Sequence, residues 1–367
     1  MRICHVIECG ATGAFEMVLL MSDVQHADGH QVLIIYSPRP GTPADLKTRV
    51  NPAVHLVCLP MRPVLMRAAV WCWRYFMLLR KWNPEVIHFH GARAGFLGRL
   101  LAGWRWSGHA LYSPHCISLM HLNRSKLEHA LFRCMERFAN RICRSLYVAC
   151  CSYEHTVIEK EVGVAVALLE NAVEDGLINP DNNRPAREMV TKRVVTCSRI
   201  SASKDPVLFA NICKMVQSVR PEIEFRWIGD GDPSFRRILE EAGVLVSGWM
   251  TRSEALEEIA SGFVYLSTSA WEGLPVSILE AMLLKIPVLC RQAEWSSPII
   301  NDGETARLFS DASAACDLLV CEDSTWHDVI SEKAWYFAKE NYTKKRFATD
   351  LARLYKPFDP KGWVDNP

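Results

Sequence analysis

The stretch Ser269-Ala270-Trp271-Glu272-Gly273-Leu274-Pro275-Val276-Ser277-Ile278-Leu279-Glu280-Ala281-Met282-Leu283-Leu284-Lys285-Ile286-Pro287-Val288-Leu289 decides how this chain is read. Just upstream, residues 262–268 (G-F-V-Y-L-S-T) form an apolar run of strand length. Gly273-Leu274-Pro275 then makes a turn, and residues 276–284 have helical periodicity. The order is strand, loop, helix start. The first N–H groups of such a helix lack partners within it and its dipole end is positive, so Leu274, Pro275, Val276 and Ser277 outline a ready anion site. Glu272 falls in the loop, and Glu280 is expected two turns into the helix. Beside a bound phosphate, Glu272 suits sugar hydroxyls and Glu280 a ribose diol. The same spacing also fits an ordinary βα unit with two solvated glutamates.

Strand-length apolar runs recur to either side. In the first half they lie at 3–7, 32–36, 54–59, 86–89, 110–112 and 146–149, with helix-like stretches between most of them, which predicts a parallel, doubly wound α/β sheet. From 179 to 191 apolar residues thin out while Pro, Asn and Asp gather, so the linker is placed there. A second series follows at 193–197, 223–228, 244–246, 263–266 and 288–289. The expectation is two Rossmann-like domains, 1–178 and 179–342. Helical periodicity runs unbroken from 332 to 355.

A chain of 367 residues at 49% hydrophobic has room for two cores. Its net charge of +1 hides an asymmetry: residues 1–170 carry 19 Lys and Arg against 12 Asp and Glu (+7), and residues 171–367 carry 23 against 29 (−6). The basic half fits an anionic partner such as a phospholipid surface or a lipid diphosphate, or is an uneven surface with no partner. The 14 cysteines form no C-x-x-C pair and no zinc-ligand spacing. Cys58, Cys197 and Cys290 fall in apolar runs and read as buried thiols of a reducing compartment. With no secretory h-region and no run of about 18 apolar residues, the expected location is cytoplasmic, with at most a peripheral contact on the inner membrane face.

Loops at the carboxyl ends of parallel strands carry the remaining chemistry. Glu8-Cys9-Gly10-Ala11-Thr12-Gly13-Ala14 follows the first strand and leads into a helix from about Phe15. Its G-x-x-G spacing is not the dinucleotide fingerprint, which counts against a Rossmann dehydrogenase. At 86–101, V-I-H-F-H-G-A-R-A-G-F-L-G-R-L-L, His88 and His90 share one face of a strand with no third metal ligand in view. Tyr112-Ser113-Pro114-His115-Cys116 feeds a histidine out of a strand, and Thr196 to Pro206 (T-C-S-R-I-S-A-S-K-D-P) places Arg199 and Lys204 behind another. A guanidinium fork and an ammonium there suit phosphate oxygens. Two further turns contain Gly229 (I-G-D-G-D) and Gly248-Trp249 (S-G-W-M). From Arg62 to Trp82, basic and aromatic residues interleave. They suit a membrane interface or a crossover helix that must bury Val64, Leu65, Val70 and Leu78.

Taken together these strings resemble the retaining glycosyltransferases of the GT4 family, in particular those that build bacterial surface polysaccharides. That resemblance implies the GT-B fold, two Rossmann-like domains facing across a cleft, with a last helix at about 343–367 crossing back to the first domain. It implies transfer of a sugar from a UDP- or GDP-sugar to a hydroxyl of a glycan, lipid-linked, without nucleic acid partners and without a metal or other cofactor. In that reading Arg199, Lys204 and the helix start hold the departing diphosphate, Glu272 the donor sugar and Glu280 the ribose. His115 meets the sugar near the reacting centre, Gly13 lies between donor phosphates and acceptor, and Gly229, Gly248 and Trp249 belong to the nucleotide's turn segments. Cys116 and Ser198 stand where the family usually has glycine. Two rival classes share the nucleotide site: an epimerase or hydrolase of nucleotide sugars, and a non-catalytic binding protein.

Overall fold

A computed structural model describes residues 1–8, 13–38, 42, 46–60, 65–173, 176, 192–296, 299–321 and 325–358, without the side chains of 65–69, 71 and 325. The chain divides into two units, one holding Met1–Asn171 with the chain from Lys345, the other Ala172–Lys344. The linker expected at 179–191 lies outside the described residues.

The first unit runs β1 (Arg2–Ile7), α1 (Gly13–Ala27), β2 (Gln31–Tyr36), α2 (Leu46–Arg49), β3 (His55–Cys58), α3 (Leu65–Trp82), β4 (Val86–His90), α4 (Ala92–Ala102), β5 (Ala110–Ser113), α5 (Lys126–Ile142), β6 (Ser145–Ala149), α6 (Ser152–Val162) and β7 (Val166–Leu168). These strands make one parallel sheet in the order β3-β2-β1-β4-β5-β6-β7. Strands covered by helices on both faces are apolar along their whole length, and that is why β1, β2 and β4 read as continuous runs. Gly95 and Gly98 on α4 serve packing, since a Cβ would lie 2.0 Å from the Tyr112 ring or 2.5 Å from Phe89. Arg99 is equally structural: wholly buried, it donates to Glu136 Oε2 (2.5 Å), Tyr147 Oη (2.6 Å) and Gly95 O (2.7 Å).

The second unit comprises β8 (Arg193–Cys197), α7 (Pro206–Val219), β9 (Glu224–Ile228), α8 (Pro233–Glu241), β10 (Leu245–Val246), α9 (Arg252–Ala260), β11 (Val264–Ser267), α10 (Val276–Leu283), β12 (Val288–Arg291), β13 (Arg307–Phe309), α11 (Ala312–Val320) and α12 (Thr325–Asn341). Its parallel sheet has the order β10-β9-β8-β11-β12-β13. A core around Phe209, Phe225 and Trp227 packs edge-on, with ring centroids 5.1 and 5.7 Å apart.

Several expectations need correction. The helix predicted to run unbroken over 332–355 is two, α12 and α13 (Lys344–Tyr355), divided at Tyr342-Thr343, where Val173 N donates to Tyr342 O and Val173 bridges Thr343. α13 packs in the first unit: Arg346 donates to the carbonyls of Glu170 (3.1 Å) and Asn171 (2.6 Å), and Tyr355 is buried. Cys58 is exposed at the end of edge strand β3 and Cys197 is half-buried, whereas Cys290 is buried; every described cysteine is a free thiol. Among the described side chains of α3, Tyr75 and Leu79 are buried and Leu78 is half-buried, while Val70, expected to bury, is 50% exposed; Val64 and the side chain of Leu65 lie outside the described residues. No helix among the described residues is long and apolar enough to cross a membrane.

Candidate active site

In an open parallel sheet, ligands bind where strand order reverses. In the second unit that point lies between β8 and β11. The loop after β8 carries Lys204, the loop after β11 carries Glu272, and the two loops are tied together: Ala270 N donates to Ser203 O (2.8 Å) and Thr268 Oγ1 to Lys204 O (2.7 Å). Lys204 and Glu272, assigned separate tasks from the sequence, form an ion pair with each other. Ser269 Oγ donates to the same carboxylate (2.9 Å). Asp205 takes φ +48° and caps α7 by accepting from Leu208 N (3.1 Å), while Arg291 from β12 holds its other oxygen at 2.8 Å.

A small polar pocket opens here, lined by Thr196, Ser198, Lys204, Tyr265, Thr268, Glu272 and Ser277. Pro275 is the N-cap of α10 without a side-chain cap bond, so the N–H groups of Val276 and Ser277 at the helix start are left for a ligand. Tyr265 Oη lies 2.8 Å from Ser277 Oγ and orients that hydroxyl. Gly273, Leu274 and Val276 are buried and fix the turn. The helix start on which an anion site was expected is in place, with Lys204 and Glu272 paired beside it.

Other predicted residues fall around it. Arg199 follows β8 and is exposed. Gly229 ends β9 with φ +129°, and a Cβ there would lie 2.3 Å from Ser198 O, so only glycine lets these two loops approach so closely. It bridges Gly248, and Trp249 beside it is 44% exposed. Glu280 sits one turn into α10, not two: the helix starts at Val276 as expected, and the four-residue step from there to Glu280 makes about one turn of 3.6. It is buried and ion-paired with Arg252 at 2.8 Å, a partner on α9 that the sequence did not suggest.

In the first unit the corresponding reversal lies between β1 and β4. Gly13 opens α1 and is exposed; residues 9–12 of its loop lie outside the described residues. The absence of a third ligand near His88 and His90 is corrected by the sheet register, which sets His5 of β1 opposite His88. His5, His88 and His90 are all wholly buried, and each offers a nitrogen within 4.8 Å of the others. Burial pushes His5 down to about 4 and holds His88 and His90 well below the usual range, with the charges of His5 and His115 lowering both further and that of His88 lowering His90. His115 is likewise lowered by burial to about 4. Its backbone has φ +52°, and Cys116 has φ +83°, the left-handed region that a glycine there would take without strain. The buried Glu154 carboxylate holds the turn by accepting from the N–H groups of Cys116 (2.7 Å), Ile117 (2.8 Å) and Cys150 (2.9 Å).

Sequence comparison agrees with this architecture. Residues 11–175 match the family model described as Glycosyltransferase Family 4, and residues 191–320 match that of Glycosyl transferases group 1. A Klebsiella pneumoniae protein, described as an uncharacterized 41.2 kDa protein in the cps region, is 22% identical over 293 residues, which is 76% of this chain and 80% of that one. The Escherichia coli UDP-Gal:alpha-D-GlcNAc-diphosphoundecaprenol alpha-1,3-galactosyltransferase is 22% identical over 246 residues, 62% of each chain. Among solved structures, Anabaena HepE in complex with UDP and glucose superposes with a TM-score of 0.78 at 16% identity, covering 97% of this chain and 100% of that one. Sucrose-phosphate synthase from Thermosynechococcus elongatus gives 0.79 at 15% identity, covering 97% and 99%. Two family models spread over both units, and a fold shared along nearly the whole length, leave one assignment: the chain is a glycosyltransferase of family 4, built on the GT-B fold.

Proposed function

We propose that this enzyme moves a sugar, with retention at the anomeric carbon, from a UDP-sugar to a hydroxyl of a lipid-linked glycan in bacterial surface-polysaccharide assembly. The observation that carries this reading is the Lys204–Glu272 pair at the mouth of the α10 helix start. A diphosphate seated on the N–H groups of Val276 and Ser277 would draw Lys204 off Glu272 and recruit the exposed Arg199. Glu272, released, would then accept from hydroxyls of the donor sugar. One exchange of partners thus couples phosphate binding to sugar binding. Glu280, with its charge already balanced by Arg252, can accept from a ribose diol as a well-oriented acceptor. Placed charges on a leaving group are commonly the largest catalytic contribution.

Two cations and a helix end meet the developing charge, so no metal is required in this scheme, and turnover should survive EDTA. Without a second placed carboxylate among the described residues of the first unit, retention follows from attack on the same face that the diphosphate leaves, with its own oxygen taking the acceptor's proton. UDP is favoured over GDP because the Anabaena structures hold UDP and the E. coli relative's name specifies UDP-Gal. The lipid-linked acceptor rests on that same name and on the basic first half. The exposed Trp73, Met77 and Val70 of α3, beside Arg74 and Lys81, suit an anionic membrane face.

Arg199→Ala and Lys204→Ala should each slow transfer about 100-fold, because one placed donor on a developing charge is worth roughly 2.7–4 kcal/mol. Rates within about threefold of the parent for both would remove the clamp from the mechanism. Release of UDP from a UDP-sugar panel with and without polyprenol-linked glycan separates a transferase from a hydrolase or epimerase. The anomeric coupling of the product decides retention.

A further inference from the structure

Three histidines of the first unit, His5, His90 and His115, form with Gln25 a single directed chain rather than a loose cluster. His5 Nε2 lies 2.8 Å from Gln25 Oε1, His5 Nδ1 lies 2.9 Å from His90 Nε2, and His90 Nδ1 lies 3.1 Å from His115 Nε2. Gln25, His5 and His90 are at most 3% exposed, so no water takes these positions. With Gln25 Oε1 facing His5, the amide oxygen accepts and the ring proton of His5 sits on Nε2; this orientation leaves Gln25 Nε2 buried without a hydrogen-bond partner, and the opposite orientation would reverse every tautomer along the chain. A neutral imidazole has one ring proton, so His5 Nδ1 must accept, and the proton between it and His90 belongs to His90 Nε2. The same step repeated puts a proton on His115 Nε2. Neutrality of all three rings follows from their burial and mutual proximity. His115 Nδ1 is then left with a lone pair, and it has no hydrogen-bond partner among the described residues. Its ring is stacked on His90 with centroids 5.3 Å apart, which fixes the direction of that lone pair.

We propose that Gln25, His5 and His90 are positioning residues that lock His115 as the neutral Nε2–H tautomer and present its Nδ1 as an acceptor for a hydroxyl of the donor sugar. This rests on the reading of His115 as a sugar contact. The chain sets a tautomer and does not conduct protons. Its far end is an amide, which takes up no proton, so passing one from His115 toward Gln25 has no destination. His88 stands apart from the chain, its two nitrogens held by Tyr355 Oη and Ser113 Oγ at 2.8 Å each. It contributes bulk and stiffness beside His90, with ring centroids 4.1 Å apart.

The test is long-range 1H–15N correlation on the full chain labelled at histidine, which reads each ring's tautomer directly. In the parent protein His5, His90 and His115 should all appear as neutral Nε2–H rings, unchanged from pH 8 to 6. An Nδ1–H tautomer at His115 would overturn the proposal outright. Gln25→Leu removes the acceptor that sets the direction, so His115 should become a mixture of tautomers, with kcat falling roughly tenfold, the loss of about one oriented hydrogen bond. Gln25→Glu, which still accepts, should restore the single tautomer. If Gln25→Leu leaves His115 fully Nε2–H, the chain is packing only and the positioning role is lost. Zinc added alone to the parent should leave these spectra unchanged. Replacement of the ring protons of His5, His88 and His90 by the metal would overturn the chain in favour of a three-histidine metal site. UDP titrated against the resonances of the second unit tests the nucleotide reading separately: failure there with the tautomers as stated would sink the site assignment and leave the chain standing.

Discussion

Cys116 has the backbone of a glycine and the side chain of a cysteine, and its φ of +83° costs about 1–2 kcal/mol relative to glycine in the same place. Glu154 offsets the strain with three charge-assisted bonds to backbone N–H groups, two of them at Cys116 and Ile117. Cys116→Gly should therefore stabilise the protein by roughly 0.5–1 kcal/mol, after the greater freedom of glycine in the unfolded chain is subtracted. Cys116→Ala keeps the strain and should gain nothing. Chemical denaturation of the two variants settles this, and equal midpoints would mean the turn is not strained. Glu154→Gln should lose about 1–3 kcal/mol, since one of the two acceptor oxygens becomes a donor facing donors. At this scale the positions of Lys204, Glu272 and His115 in loops behind strand ends were legible in the sequence. It was silent on Arg252, Glu154, His5 and Gln25, which reach their partners through tertiary contacts between elements distant in sequence. A buried arginine or glutamate on an amphipathic helix looks like any solvated one until the fold brings up its partner.

At the level of elements, α3 separates what packs from what waits. Tyr75 and Leu79 are wholly buried, whereas Trp73 is 62%, Val70 50% and Met77 47% exposed, and Arg80 lies over the Phe76 ring at 5.5 Å. Positions 70, 73 and 77 follow helical spacing and so make one stripe, flanked by Arg74 and Lys81. Binding to anionic vesicles should weaken with salt and by about 1 kcal/mol for each of Arg74, Arg80 and Lys81 replaced by glutamine. Trp73→Ala should weaken binding to neutral and anionic vesicles alike. Equal partitioning of the parent onto both kinds of vesicle would remove the electrostatic part. Strands of four or more residues with buried centres were readable from their apolar runs alone. β7 and β13, three residues each and half-buried at the sheet edges, gave no such run. The break between α12 and α13 was likewise hidden, because the bridge from Val173 to Thr343 that divides them is non-local and leaves the helical periodicity intact.

For the whole molecule, the two units should respond to different variables, because their buried chemistry differs. The first unit holds His5, His88 and His90 fully buried and neutral, with folded values depressed below the unfolded value of about 6.5. For a base shifted downward the unfolded chain binds more protons as pH falls. The stability these residues support is therefore complete above about pH 6.5 and is lost on the way down toward 4. Each contributes a slope of about 1.4 kcal/mol per pH unit in that window. Charging one ring also raises the cost of charging its neighbours, so the loss should be steep and cooperative. The second unit contains no such histidine chain among its described residues but carries the Lys204–Glu272 site, so UDP at about 100 times its Kd should add roughly 2.7 kcal/mol to that unit alone. Hydrogen exchange followed by mass spectrometry resolves the units by peptide. Between pH 7 and 5, opening should rise in β1, β4 and β5 and stay flat in β8 and β11, and UDP should protect β8, β11 and α10 without slowing β1 or β4. A mutant in which His5, His88 and His90 are all replaced by phenylalanine should lose most of the acid sensitivity, keeping the part due to His115, while UDP protection is unchanged. If acid opens both sheets together in the parent, the histidines are not what makes the first unit labile, and the depression of their titration does not control its stability.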